Sequence, residues 1–202
     1  MSAHRSSRVG LGPLVLALAA LSTQPGCARI PIAEPKLEGP YGLELARDTR
    51  RAAIYQQLET RLFLHMVWVG PALVEQQAAQ LSAMRAEPPD LTAARLKKLQ
   101  DDTALPTFYA FVYTPQPNWN DWESKSSVWR IVLEGPQGEA APVSVTRFNG
   151  PFNAELMTLY PYCDDFITAY RIQFPQGSLG PTPKILLAGA LGRVELDWSL
   201  QP

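Results

Sequence analysis

The 202-residue chain carries 18 basic and 19 acidic side chains, and no segment gathers Lys and Arg into a basic stripe. Because phosphate binding needs clustered positive charge, this composition argues against a nucleic-acid partner. His65 is the only histidine outside the N-terminal segment, and one histidine is too few for a multi-histidine site of the zinc type, so we predict neither a metal nor a cofactor.

The N-terminal segment has the order of features found in a secretory signal peptide. Arg5 and Arg8 precede an apolar run, Val9 to Leu21, which ends in small and polar residues. A helix needs about 20 apolar residues to span a bilayer core, and two glycines and a proline interrupt the first third of this run. We therefore predict a cleaved signal peptide over residues 1–26 in place of a transmembrane helix.

Gly26 and Cys27, at the end of this segment, resemble the processing site of a bacterial lipoprotein. The resemblance implies cleavage before Cys27, acylation of its thiol and new N-terminus, and attachment of the mature chain to a membrane. The residue after the cysteine is Ala28 and is not acidic. In this family that implies attachment to the outer membrane, with the chain facing the periplasm. Several acyl chains together would hold this anchor firmly, whereas one chain alone binds a membrane only marginally.

An ordinary secreted protein is the alternative to a lipid anchor. In an oxidising compartment Cys27 would then be free to pair with Cys163, the only other cysteine. If Cys27 is acylated instead, Cys163 is left alone, and a lone cysteine is typically a buried, small hydrophobic residue.

Residues 27–42 are expected to form the anchor and a flexible tether. Three prolines and two glycines within 28–42 favour an extended chain over packed structure. Removal of the signal peptide would leave 176 residues, with 16 basic against 19 acidic side chains. That length is enough for one domain with a sizeable core, which we place at residues 43–202.

The first half of this domain combines a central strand with a helical segment. Residues 59–69 are apolar on both alternating faces, which predicts a strand buried on both sides. Residues 50–58 are compatible with a partner strand or with a helical turn, and periodicity does not decide between them. Helix formers dominate 72–86, and a second short helix is expected after Thr92 as N-cap, so the helical excursion covers about 72–104.

The second half of the chain is dominated by short β-branched and aromatic segments separated by turn residues. In one of them Tyr170, Ile172 and Phe174 alternate with more polar residues, which indicates one face in the core and one in water. The sequence GPQG at 135–138 predicts a hairpin. The pattern favours a mainly β fold, an immunoglobulin-like β-sandwich with an inserted helical segment and α+β overall. The predicted strands are 107–114, 128–134, 142–148, 167–174, 184–188 and 193–199.

The segment 114–125 packs amides and carboxylates around two tryptophans. Exposed indoles with polar neighbours suit stacking on a carbohydrate. The interpretation that the pattern favours over this one is an Asx-rich turn whose side chains bond their own backbone while the indoles pack over the sandwich end. Oxygen ligands at this density also suit calcium, but no glycine permits the wrap of an EF-hand loop, so we predict no metal. The candidate ligand-binding residues are Trp119, Asn120, Asp121, Trp122 and Glu123.

The remaining polar residues predict no catalytic arrangement. His65 is the only histidine outside the signal peptide and lies in an apolar strand, so a half-buried structural role is expected. The thiol of Cys163 has no neighbouring base, and Asp164 and Asp165 would point to opposite sides of an extended chain. We therefore predict a protein that is not an enzyme.

The run YTPQPNWND at 113–121, with LYPY at 159–162, is similar to uncharacterised envelope lipoproteins, and this similarity implies no known activity. The sequence thus predicts a lipid-anchored cell-envelope protein that binds or scaffolds another envelope component, either a protein or a glycan. The alternative is a carbohydrate- or peptidoglycan-directed module centred on 118–123, binding or hydrolytic, because glycosidases need only two acids. A third hypothesis is an interaction protein that pairs an exposed sheet edge with a partner strand.

Overall fold

The computed structural model describes residues 37–148 and 154–200. The predicted signal peptide, Cys27 and the tether up to residue 36 lie outside these residues. Within them, no helix combines the length and the apolar character needed to cross a bilayer.

Helices and strands follow one another along the described chain in a mixed order. The helices are α1 (Gly39–Asp48), α2 (Pro71–Met84), α3 (Pro89–Asp102) and α4 (Ala154–Leu159), with a short 3-10 turn at Pro117–Trp119. The strands are β1 (Thr49–Gln56), β2 (Glu59–Trp68), β3 (Thr107–Tyr113), β4 (Trp129–Gly135), β5 (Gly138–Ala140), β6 (Ser144–Arg147), β7 (Thr168–Gln173), β8 (Lys184–Gly189) and β9 (Gly192–Asp197).

The strands form two antiparallel sheets. The first sheet has five strands in the order β1-β2-β3-β7-β6, and the second has four in the order β5-β4-β8-β9. Sequence neighbours pair through hairpins at β1-β2, β4-β5 and β8-β9, and the second of these is the hairpin predicted at 135–138. The prediction of a mainly β sandwich with an inserted helical segment is confirmed.

The space between the two sheets is filled by the side chains that alternate along each strand. The first sheet contributes residues such as Leu64 and Ile172, and the second contributes residues such as Leu133 and Ile185, all four fully buried. Trp198 closes one side of this space, where its Nε1 donates to the carbonyl of Asp48 at 2.8 Å. We call this cluster the sandwich core.

The opposite face of the first sheet is covered by helices. Val67 on β2 and Phe111 on β3 pack with Tyr41 of α1 and Leu73 of α2 in a second cluster, the helix-side core. Strand β2 is therefore buried on both faces, as predicted. The prediction that β7 has one face in water is wrong at Ala169, which is buried because the helical layer covers that face.

The predicted tether is wrong at its C-terminal end. Residues 39–42 form the first turn of α1, and the hydroxyl of Tyr41 donates to the carbonyl of Leu159 at 2.9 Å. Pro40 is compatible with this helix because N–H groups in a first turn have no acceptor within the helix. The packed part of the chain therefore begins before residue 43.

Two further expectations about local structure are resolved. The segment left undecided at 50–58 belongs to strand β1 and pairs along its length with β2. The predicted N-cap is wrong, since α3 begins at Pro89 and Thr92 lies inside the helix. Pro89 supplies a φ angle already suited to the first helical position, so the two adjacent prolines start this helix as well as separating it from α2.

Candidate functional site

The predicted loop between β3 and β4 is held by its own side chains. The carboxylate of Asp121 accepts hydrogen bonds from the hydroxyl of Ser127 at 2.9 Å and from the backbone N–H of Val128 at 3.1 Å. A turn between Asp121 and Ser124 adds a backbone hydrogen bond of 2.8 Å. Asp121 thus has the backbone-bonding role of an Asx-rich turn.

The two tryptophans of this loop have different environments. Trp122 is only 4% exposed and stacks on Tyr170 in the sandwich core, with ring centroids 5.2 Å apart and planes within 9°. Trp119 is partly exposed, and the guanidinium of Arg61 lies 5.4 Å from its ring centroid. Trp122 thus has the packed position expected of an Asx-rich turn over the sandwich end, and it lacks the exposure that stacking on a carbohydrate would need.

The other two candidate residues lie at the margin of the loop. The amide of Asn120 donates to the hydroxyl of Thr168 at 3.1 Å, so it ties the loop to β7. Glu123 is exposed and lies 4.0 Å from the guanidinium of Arg147. Of the five candidate residues, only Trp119 and Glu123 therefore keep a chemically useful group at the surface.

His65 and Cys163 lie in the helix-side core. The His65 ring is 4% exposed, more buried than predicted, and is parallel to the ring of Tyr162 at a centroid distance of 4.4 Å. Burial, with a smaller contribution from Asp164, raises the pKa of the Cys163 thiol to about 12. That thiol stays protonated at neutral pH, which agrees with the expected role as a small buried hydrophobic residue.

A groove that the sequence did not predict lies between α2, α3, α4 and the first sheet. Its volume is about 520 Å³, within the range of small-molecule sites. Leucines form its walls, aromatic rings form its floor, and two cations stand at its rim. We call it the helix-side groove and define it by Leu81, Leu99, Leu159, Tyr109, Tyr160, Arg95 and Lys98.

The groove exists because α2 and α3 approach the sheet differently. Helix α2 buries six residues, whereas α3 buries none, although Leu96 and Leu99 pack against the helix-side core. Because α3 has few apolar residues, it covers the sheet incompletely. A concavity consequently remains beside the two helices, and its lining includes the partly exposed side chains of Leu99 and Phe148.

The floor of the groove is aromatic and neutral. Tyr109 meets Tyr160 edge to face at 5.9 Å and Phe148 at 5.3 Å. The hydroxyl of Tyr160 donates to the side-chain carbonyl of Gln77 at 3.3 Å. Burial raises the pKa of both tyrosines above its ordinary value, so neither hydroxyl ionises near neutral pH.

The rim of the groove is positively charged. The guanidinium of Arg95 binds the carboxylate of Glu87 through two N–H groups, one of them at 3.0 Å, and the hydroxyl of Ser82 donates to the same carboxylate at 3.0 Å. This network connects α3 to the end of α2, and it lowers the pKa of Glu87 because the carboxylate form accepts these bonds. Lys98, one turn further along α3, forms an exposed pair with Asp102.

A second depression, of about 300 Å³, lies beside the second sheet around Pro136, Pro181 and Lys184. The ammonium of Lys184 already lies 3.3 Å from Glu195 and 3.9 Å from Asp197. These carboxylates raise the pKa of Lys184 and already pair with its positive charge. The helix-side groove, which has a larger apolar lining, is therefore the better candidate for a binding site.

Residues from four separate segments build the helix-side groove, which is why the sequence patterns did not indicate it. A weak signal was present in α3, where Arg95 and Lys98 share a face with Leu99 at spacings of three and four. Across residues 37–148 and 154–200, no group of three or more His, Cys, Asp or Glu side chains is placed to hold a metal ion.

Comparison with known proteins adds no assignment to this geometry. No protein-family model matches the chain, and neither the curated proteins nor the solved structures contain a significant match to it. A function for this protein is therefore inferred from its own residues alone.

Proposed function

We propose that this chain is a lipid-anchored cell-envelope protein of the binding type, held at the outer membrane facing the periplasm. The helix-side groove is its binding site, and it performs no chemistry. The observation that carries the proposal is the concavity left between α2 and α3, whose apolar lining includes the partly exposed Leu99, Leu156 and Phe148. An apolar concavity with a few polar groups at its rim is the usual form of a small-molecule site.

The burial of Cys163 supports the anchor over the disulfide alternative. Its side chain is 4% exposed among apolar residues of the helix-side core, so pairing with Cys27 would require that core to open. Cys27 is then left for acylation. The ten peptide units from Cys27 to Leu37 would span at most about 35 Å, so the groove would stay close to the membrane.

The state of the nearby titratable groups supports binding over catalysis. A nucleophile or general base needs a pKa suited to its task. Here the pKa values of Tyr109, Tyr160 and Cys163 are all raised by burial, which keeps these groups protonated. The neutral floor and the leucine walls of the groove favour a ligand with an apolar part.

The anchor is tested by the mass of the N-terminal peptide of the protein isolated from a membrane fraction. A diacyl or triacyl mass on Cys27 is expected. An unmodified N-terminus, or a peptide linked to Cys163, would contradict the anchor while leaving the groove untouched.

The groove is tested by filling it. The variant Leu99→Trp places a larger side chain in the groove, and Leu91→Trp, at an exposed position on the same helix, is the matched control. Protein isolated in lipid nanodiscs is extracted with organic solvent, and the co-purified small molecules are compared by mass spectrometry. We expect a molecule present with the native protein and with Leu91→Trp but lost with Leu99→Trp. Equal amounts in all three samples would exclude the groove as the binding site.

A further inference from the structure

We propose that the ligand of the helix-side groove is a single-chain amphiphile with an anionic head group, of the fatty-acid or lysophospholipid class. The inference rests on the proposed function, because it names the ligand of that same site. The tail lies against Leu99, Leu156 and Phe148, and the head group pairs with Lys98 and Arg95.

The walls and floor of the groove select the tail. Leu99 of α3, Leu156 of α4 and Phe148 line the groove and are partly exposed, whereas Leu81 and Leu159 are buried. Contact with such surfaces removes apolar area from water, which is the main driving force for binding an alkyl chain. The volume of about 520 Å³ accommodates one chain of this kind more readily than a two-chain lipid.

The rim selects the head group. Among the described residues that line the groove, two are cationic and none is acidic. Lys98 is the principal contact, because its pair with Asp102 is exposed on both sides and such pairs contribute little free energy. Arg95 is already bound to Glu87, so it adds a fixed positive potential beside Lys98.

The polar groups of the floor argue against a peptide as the occupant. A peptide brings an N–H and a C=O at almost every residue, and each needs a partner when buried. In the groove the hydroxyl of Tyr160 and the carbonyl of Gln77 are already bonded to each other. A ligand with one charged end and an otherwise apolar chain makes no such demand, and a membrane beside the anchor would supply it.

Helix α3 provides a matched pair of variants for testing the head-group contact. Lys97 and Lys98 each form an exposed pair with the aspartate four residues later, and their side chains are 76% and 75% exposed. Only Lys98 lines the groove. Lys97→Glu and Lys98→Glu therefore change the charge of the helix equally, and differ in whether the change reaches the site.

The experiment uses the full-length acylated protein in phosphatidylcholine nanodiscs and palmitic acid carrying a diazirine in its tail. After irradiation, crosslinked peptides are located by mass spectrometry. We expect crosslinks in the peptides that contain Leu99 and Leu159. The yield should fall at least tenfold in Lys98→Glu and stay within twofold of the native value in Lys97→Glu.

Competition separates the possible sources of the negative charge. Unlabelled palmitate should reduce crosslinking and its methyl ester should not, because the ester lacks the charge. Stronger competition by lysophosphatidic acid than by palmitate would assign the head group to a phosphate, and weaker competition would assign it to a carboxylate. An ester that competes as well as palmitate would overturn the head-group assignment.

The failure of this inference is distinguishable from the failure of the proposed function. Crosslinks confined to the tether or scattered over the surface, or equal losses in Lys97→Glu and Lys98→Glu, would overturn the amphiphile. If Leu99→Trp still removes a co-purified molecule, the groove remains a binding site for a ligand of another class. If that molecule is also unaffected, the groove itself is wrong.

Discussion

The β3–β4 loop and the helix-side groove are both rich in buried aromatic residues, but only the covering layer over the second set leaves a concavity at the surface. In the loop, Trp122 stacks on Tyr170 between two sheets that close over it. In the groove, Tyr109 and Tyr160 are also buried, but α3 buries none of its own residues and leaves a concavity lined by partly exposed side chains such as Leu99. Aromatic density along the sequence therefore does not identify a binding surface.

The difference arises from what covers the rings. Two sheets present regular rows of side chains to each other, and those rows interdigitate to native packing density. A helix covers a sheet well only where its inner face is apolar. Helix α3 packs Leu96 and Leu99 against the helix-side core but buries no residue. The site forms beside α3, which buries none of its residues, and the following variants test that explanation.

The largest effect is expected for Trp122→Ala. Truncating a buried aromatic side chain costs about 3–5 kcal/mol, because it removes apolar contacts and leaves a cavity. Trp119→Ala, at a partly exposed position in the same loop, should cost less than about 1 kcal/mol. Denaturant unfolding of both variants checks the difference. Similar losses for the two tryptophans would mean that Trp122 is not part of the core.

Asp121→Ala should have the next largest effect, about 1–3 kcal/mol. The substitution leaves the Ser127 hydroxyl and the Val128 N–H without their acceptor in a part-buried loop. Glu123→Ala, which removes only a 4.0 Å exposed ion pair, should change the free energy of unfolding by less than about 0.5 kcal/mol. Equal effects would argue that the loop does not depend on the Asp121 carboxylate.

The raised pKa of Cys163 predicts that stability falls in alkaline solution. The unfolded thiol ionises near the ordinary cysteine pKa of 9.0, whereas burial raises the pKa of the folded thiol to about 12. Between these values the unfolded state binds fewer protons, so the free energy of unfolding decreases as pH rises from 9. The thiol contributes a loss of about 1 kcal/mol between pH 9 and 10.

Cys163→Ala is the control for this pH dependence. The variant should show a correspondingly flatter decrease in stability between pH 9 and 10, measured by denaturant unfolding at each pH. An unchanged slope would show that other groups account for the decrease, such as the buried tyrosines, whose pKa values are also raised. Alkylation of the native thiol at pH 8 should also be slow, since access requires opening of the helix-side core.

The sequence predicted the sandwich better than the helical layer because strand patterns are local. Val194, Leu196 and Trp198 alternate with exposed acids, and this period of two describes the strand regardless of what covers it. Helix α1 was missed because its first residues, Gly39 and Pro40, are equally typical of an extended tether. Only the packing of Tyr41 and Leu45 on distant residues decides between the two.

The candidate site was harder to predict because burial depends on tertiary structure. The sequence placed Trp119 and Trp122 in one loop, but could not show which indole enters the core. The groove combines Leu81, Leu99 and Leu159, which lie up to 78 positions apart in the sequence. No local pattern contains that information.

The smallest effect concerns the two lysines of α3, and it decides how a binding difference is interpreted. Lys97→Glu and Lys98→Glu each replace an exposed pair between residues four apart with a like-charge pair. Both should destabilise the protein by no more than about 1 kcal/mol, and by the same amount within about 0.3 kcal/mol. Thermal unfolding of the two variants measures this. If stability is equal while crosslinking differs tenfold, the loss in Lys98→Glu comes from the groove, since folding and helix charge are matched. A larger loss of stability in Lys98→Glu would instead mean that this lysine supports the packing of α3, and the rim would lose its role in selecting the ligand.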